Sequence, residues 1–228
     1  MHLDGILRAA AAGVFPPMDG AVRVVPPPSG AAYAVCAFTA HTVIAAPISE
    51  AEVLEHLPEG DLGAPMEAAF LVWLGGRIGS SSGSLDAVLA ATGPDPSVDA
   101  ASLLPRADLQ NHPRVARAMR YREDVTVFSD SLEHGVVILG RGLAGRMEVS
   151  VEVTPERQGS GVGRRMFGAA RNLVPHDEPL FAQVAPGNAA SLRAILGAGF
   201  RPIGSEVLFP KGPNPIAPRP APTHRSDG

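Results

Sequence analysis

The residues best suited to chemistry in this chain are Gln158-Gly159-Ser160-Gly161-Val162-Gly163. Three glycines at alternate positions leave backbone N–H groups uncovered, so a bulky anion can approach the main chain. The stretch lies between a strand pattern and a helix pattern. A helix opening there adds unpaired N–H groups and the positive end of its dipole. Such a junction is suited to a phosphate or pyrophosphate. Two familiar phosphate loops fail on spacing. A dinucleotide fingerprint needs other glycine spacing and an acidic residue about 20 positions on. A Walker loop needs Lys and then Ser or Thr after its last glycine, where Arg164-Arg165 stand.

The element leading into the turn has the clearest periodicity in the chain. Met147, Val149, Val151 and Val153 alternate with Glu148, Ser150, Glu152 and Thr154. A period of two puts the apolar set on one face of a strand and the polar set on the other. Glu148 and Glu152 thus share a polar face beside the turn. Each is a candidate general base, directly or through water, against the plainer reading, favoured for each residue alone, of a solvent-facing partner on an amphipathic strand. Pro155 ends the strand, and a helix follows over 164–173. A short strand at 181–185 leads to a helix over 188–197, with Asn188 as its cap and Leu192, Ile195 and Leu196 on one face. The last strand spans 200–209.

Val151-Glu152-Val153-Thr154-Pro155-Glu156-Arg157-Gln158-Gly159-Ser160-Gly161-Val162-Gly163 resembles the pyrophosphate-binding motif of the GNAT acyltransferase superfamily. That motif has the form Arg/Gln-x-x-Gly-x-Gly/Ala after a strand ending in Val-x-Pro. Downstream, Asn188-Ala189-Ala190-Ser191 and Gly199-Phe200 resemble the family's second motif, an Asn-headed helix ending in Gly-Phe. The two blocks cover roughly Val125 to Phe209. The resemblance implies an α+β, sandwich-like fold whose mixed central sheet is splayed between two strands, with acetyl-CoA wedged into the opening. By that likeness the main chain of Val151 and Val153 pairs with the pantetheine arm. Gln158 heads the turn, and the N–H groups of Gly159, Ser160, Gly161, Val162, Gly163 and Arg164 receive the pyrophosphate. Asn188 and Ser191 lie toward the thioester. The activity implied is transfer of an acetyl or other small acyl group from coenzyme A to an amine, with Glu148, Glu152 and Ser191 as catalytic candidates. The acceptor implied is a small-molecule or peptide amine. One departure matters: the Tyr that many members carry in the second motif corresponds to Ile195, and Tyr33 and Tyr121 fall outside it. A non-catalytic module that binds and senses acyl-CoA is therefore the alternative reading.

Composition sets the limits around this. The chain has 228 residues, 45% of them hydrophobic and 18% charged, enough for a buried core. A net charge of −4 gives no reason to expect nucleic acid. One cysteine, Cys36 in an apolar run, excludes an internal disulfide and reads as a buried small hydrophobe in a cytoplasmic setting. No stretch approaches the roughly 20 apolar residues that span a bilayer. The histidines show no metal-ligand spacing, so no metal is expected, and a homodimer is left open. Trp73 reads as core. Arg114, Arg117, Arg120 and Arg122 form a basic stretch that suits either a solvated helix face or an acidic substrate.

The organisation expected is an N-terminal accessory lobe over 1–111, a GNAT-like acetyltransferase domain over 112–210 and a disordered Pro-rich tail over 211–228. In the first lobe, strands are expected near 21–25, 32–38 and 42–46, and a helix opened by the capping box Ser49-Glu50-Ala51-Glu52. Two more helices are expected, from Pro65 to Trp73 with a stop at Gly75-Gly76, and over 85–91. Residues 94–105 read as a boundary between halves.

Overall fold

A computed structural model of the chain describes residues 2–99 and 102–212. The disorder expected of the tail falls almost entirely on 213–228, outside the described residues. The first half of the chain forms α1 (Leu3–Ala11), β1 (Val22–Val25), β2 (Ala32–Phe38), β3 (His41–Ala45), α2 (Glu50–Glu55), α3 (Ala68–Ile78) and β4 (Leu85–Ala91). The second forms β5 (Leu104–Pro105), α4 (Pro113–Ala118), β6 (Glu123–Ser129), β7 (Gly135–Arg141) and β8 (Met147–Val153). It continues with α5 (Val162–Arg171), β9 (Leu180–Val184), α6 (Ala189–Gly197) and β10 (Arg201–Pro210). Among the described residues the strands make one mixed sheet of ten in the order β1-β3-β2-β10-β4-β9-β8-β7-β6-β5. The pairs β1–β3 and β8–β9 are parallel, and the others are antiparallel.

Two elements differ from their sequence-based reading. Residues 85–91 are a strand, not a helix. This alanine-rich stretch has little local preference for a strand. It is extended because both edges are occupied, by β10 on one side and β9 on the other, so its backbone groups are satisfied by neighbours. The strand comes from before residue 111 yet lies between two strands of the second half. α3 runs past Gly75-Gly76 and ends at Gly79, whose φ of 67° places it in the left-handed region that closes helices. Gly75 serves packing instead, since a side-chain carbon there would collide with the carbonyl of Ser80.

Each face of the central strands has its own core. Leu89, Leu180, Ala182, Val184 and Val149 face α5 and α6, packing with Phe167, Ile195 and Phe200. Val88, Ala90 and Phe181 face the other way, toward Leu3, Ile6 and Leu7 of α1. Cys36 is buried in this second core, as its setting suggests, and burial and Glu206 push its thiol up. Trp73 packs beside the outer core of Val35, Leu74 and Phe209 and stacks on His56 at 4.0 Å between ring centroids.

The α1 side also holds a buried ion network. Arg146, 1% exposed, sends both terminal nitrogens to the Glu206 carboxylate at 2.8 and 2.6 Å. Its guanidinium lies 5.3 Å from the ring centre of Phe181, and its Nε donates to Glu148 at 2.8 Å. Removing one partner of a buried pair leaves an uncompensated charge and typically costs about 3–5 kcal/mol. Glu206→Leu should therefore lower unfolding stability by about that amount in urea denaturation. A loss below 1 kcal/mol would show that the network is dispensable.

Candidate active site

β8 pairs with β7 at seven positions, from Gly135↔Val153 to Arg141↔Met147. With β9 it pairs at two, Met147↔Leu180 and Glu148↔Phe181. Beyond Glu148 the two parallel strands part, which is the splay that the fold class implied. In an antiparallel ladder, alternate residues turn both N–H and C=O toward the same neighbour. Thr154 N–H bonds to the His134 carbonyl at one end of β8, and Gly142 N–H bonds to the Arg146 carbonyl at the other. These bonds set the parity. Glu148, Ser150 and Glu152 turn their backbone groups to β7, Val149 still turns toward β9 at the fork, and Val151 and Val153 turn theirs into the gap. Among the described residues the Val153 carbonyl meets only a long bond there, from Gln158 Nε2 at 3.4 Å. The gap therefore presents strand-like donors and acceptors to whatever enters it.

The glycine turn stands at the open end of this gap. Gly159 and Gly161 have φ of 76° and 80°, and Gly161 is the N-cap of α5. The first α5 bond to the cap runs from Arg165 N–H to the Gly161 carbonyl at 3.2 Å, so helix geometry leaves the N–H groups of Val162, Gly163 and Arg164 without intrahelical acceptors. The Ser160 hydroxyl donates to the Arg157 carbonyl at 2.6 Å and closes the turn on itself. A side-chain carbon at Gly163 would touch both Val153 and Ala194 at 3.5 Å. The lack of one there lets α5 settle close to β8 and α6.

On α6, Asn188 Oδ1 accepts from Ser191 N–H at 3.1 Å, the expected cap, which leaves the amide NH₂ for another partner. A cavity of about 620 Å³ joins Val151, Val153, Gln158, Gly159, Gly161 and Ser191, with Arg157, Arg164 and Arg193 on its rim. Unpaired N–H groups, a helix N-terminus and three guanidiniums suit a polyanion, and the gap-facing backbone suits an amide-bearing arm. The residues present thus fit acyl-CoA.

The two glutamates part company. Glu152 is exposed and lines this cavity. Glu148 is 4% exposed and does not face solvent. It accepts from Arg122 Nε and Arg146 Nε, each at 2.8 Å, and from Leu143 N–H at 3.3 Å. Burial alone would raise its carboxyl, but Arg146 and then Arg122 outweigh that and hold it below the ordinary range. Gly142 lies so close that a side chain there would collide with the carboxylate. A polar strand face was legible in sequence, but its cover was not.

On that same face a second, smaller cavity of about 150 Å³ is lined by Asp86, Arg114, Arg117, Tyr121, Arg122, Glu148, Ser150 and Gln183. Arg114 lines both cavities, so they meet there. Asp86 and Gln183 gave no sequence signal, because β4 and β9 bring them in from distant segments. Ile195 lies in the core between α5 and α6 and reaches neither cavity wall.

No protein-family model matches this chain, and no curated protein does. Among solved structures, it is similar to one from Novosphingobium aromaticivorans assigned to the GNAT family of acetyltransferases, at 18% identity and a TM-score of 0.42, over 57% of this chain and 66% of that one. A GCN5-related N-acetyltransferase from Kribbella flavida matches at 15% identity and a TM-score of 0.42, over 63% and 64% of the two chains. A GNAT-family acetyltransferase from Colwellia psychrerythraea matches at 10% and 0.41, over 63% and 62%. The match thus takes in just under two thirds of each neighbour's own length. Likenesses at this level identify neither substrate nor catalyst.

The depressed Glu148 carboxyl has a consequence for stability. Its folded pKa lies below its unfolded value of 4.5, so its contribution is full above that value and is lost as pH falls through the folded one. Urea melts between pH 6 and 3 should show a steeper acid loss for the wild type than for Glu148→Gln. Parallel slopes would mean that Glu148 titrates normally.

Proposed function

We propose that this chain is an acyl-CoA-dependent N-acetyltransferase. The observation that carries the reading is the parting of β8 from β9 after two paired positions, with the gap-facing backbone of Val151 and Val153 leading to the bare N–H groups at the start of α5. In this reading Gly159 to Arg164 take the pyrophosphate, with Arg157 and Arg164 adding charge. Val151 and Val153 hold the pantetheine arm by strand-like bonds, and the Asn188 amide NH₂ meets that arm near its end. The donor supplies an activated acyl carbon.

Its consumption is balanced simply. The amine nitrogen forms a bond to the acyl carbon, the carbon–sulfur bond breaks, and coenzyme A leaves as a thiol while the amine loses a proton. Glu152 accepts that proton, directly or through water, from its exposed place on the wall of the larger cavity. Ser191, which lines the same cavity, is the candidate to return a proton to sulfur. Glu148, held ionised between two guanidiniums, positions Arg122 instead. The buried Ile195, standing where a proton-donating Tyr occurs in the resembled motif, favours a second reading: a module that binds acyl-CoA without turnover. Thiol release over an amine panel separates the two, since a sensor binds acetyl-CoA and releases none.

Gly159 offers a clean test of the donor site. A side-chain carbon there meets nothing within 4 Å, and Asn and Asp tolerate its positive φ better than other residues. Gly159→Asn should bind acetyl-CoA nearly as the wild type does in calorimetry. Gly159→Asp, with the same shape and a negative charge, should bind at least tenfold more weakly, about 1.4 kcal/mol. Equal affinity for the two variants would remove the pyrophosphate from this turn.

A further inference from the structure

The smaller cavity lies on the face opposite α5 and α6, where an acceptor would approach the gap, and its wall carries more positive charge than the fold has neutralised. Arg114, Arg117 and Arg122 stand against two carboxylates, Asp86 and Glu148, and Glu148 is already shared with Arg146. Two donors on this wall have no partner among the described residues: Arg122 Nη1, on a side chain 7% exposed, and Gln183 Nε2. Buried polar atoms are rarely left unpaired, and each such donor carries a desolvation cost. The two side chains already touch, with Arg122 Nη2 3.4 Å from Gln183 Oε1. They form a guanidinium and an amide side by side with a donor free on each. That arrangement suits a carboxylate, which accepts bidentate bonds from planar donors.

The electrostatics lean the same way. Burial, followed by the crowding of Arg117 and Arg122, holds the Arg114 guanidinium below its usual value, with Glu152 opposing. An anion in the cavity would relieve that crowding. Asp86 makes no ion pair among the described residues. Burial and then Glu206 raise its carboxyl, against Arg117. The cavity, about 150 Å³, falls below the ~300 Å³ at which ordinary ligand pockets begin, so the group it takes is small.

Building on the acetyltransferase reading above, we infer that the acceptor is a small amino carboxylate, its carboxylate held by Arg122 and Gln183 beside Arg117 and its amine directed toward the gap at Arg114 and Glu152. Arg117 and Gln183 are then specificity determinants, not catalytic residues.

The test compares thiol release from acetyl-CoA for three amino carboxylates of increasing length, glycine, β-alanine and 4-aminobutyrate, with their primary amides. At least one free carboxylate should exceed its amide tenfold or more in kcat/KM, and Arg117→Met and Gln183→Leu should each erase most of that advantage by raising KM. Amides that serve as well as the acids would overturn the inference while leaving the acetyltransferase reading intact. If no amine releases thiol, the catalytic reading falls. The inference is then decided by saturation-transfer NMR with the same acids on the wild type: signals lost in Arg117→Met sustain it, and no signal overturns it. Circular dichroism melts check that both variants fold.

Discussion

The Arg146 guanidinium is the fastening on which the rest of the structure depends. A sheet that parts between two parallel strands gives up ladder bonds at its centre, and those backbone groups need partners. The opening can exist only if the strands are held where they still meet. Arg146 does this at the foot of β8, reaching over Phe181 of β9 to Glu206 of β10 and back to Glu148. Its span crosses four neighbouring strands in the order β10-β4-β9-β8. On the opposite face, α5 and α6 close over Val149 and Leu180. The foot is therefore clamped from both sides while the head stays apart.

This constraint divides the polar face of β8 by position. Glu148, at the foot, is committed to the clamp, buried and ionised between Arg122 and Arg146. Glu152, one turn of the pleat beyond Ser150 and past the parting, is exposed and has neither of those partners. Sequence alone made the two equivalent, since both fall on the same parity of one amphipathic strand. Their difference lies in distance from the fork, which depends on where β9 diverges.

Other parts of the reading sort by the same criterion. The β8 alternation, the glycine turn, the Ser49 capping box and the Asn188 cap were legible because each depends on residues within a few positions of one another. The 85–91 strand was not, because its conformation is supplied by β9 and β10 from about 100 positions later in the chain. The α3 end was misplaced for a related reason. Gly75-Gly76 looks like a stop, but the first of the two glycines is there for the return of the chain at Ser80, and the stop is Gly79. The basic stretch at 114–122 showed charge without a partner, because the carboxylate that holds Arg122 is 26 residues on.

The same reasoning explains why the glycine-turn cavity can be legible in sequence when the smaller cavity is not. The first is built of repeating, chemically uniform groups: backbone N–H groups from one turn and backbone edges from one strand. Those requirements compress into a contiguous run of residue types. The smaller cavity draws its wall from α4 and the chain after it, from β8 and β9, and from the segments around Ser84 and Leu208. None of those stretches carries the chemistry alone. The Arg122 guanidinium has an amide beside it only because Gln183 stands there, and Gln183 does so because β9 remains paired to β4 after leaving β8. The splay between β8 and β9 thereby also sets the geometry of the smaller cavity's wall, and the two cavities touch at Arg114.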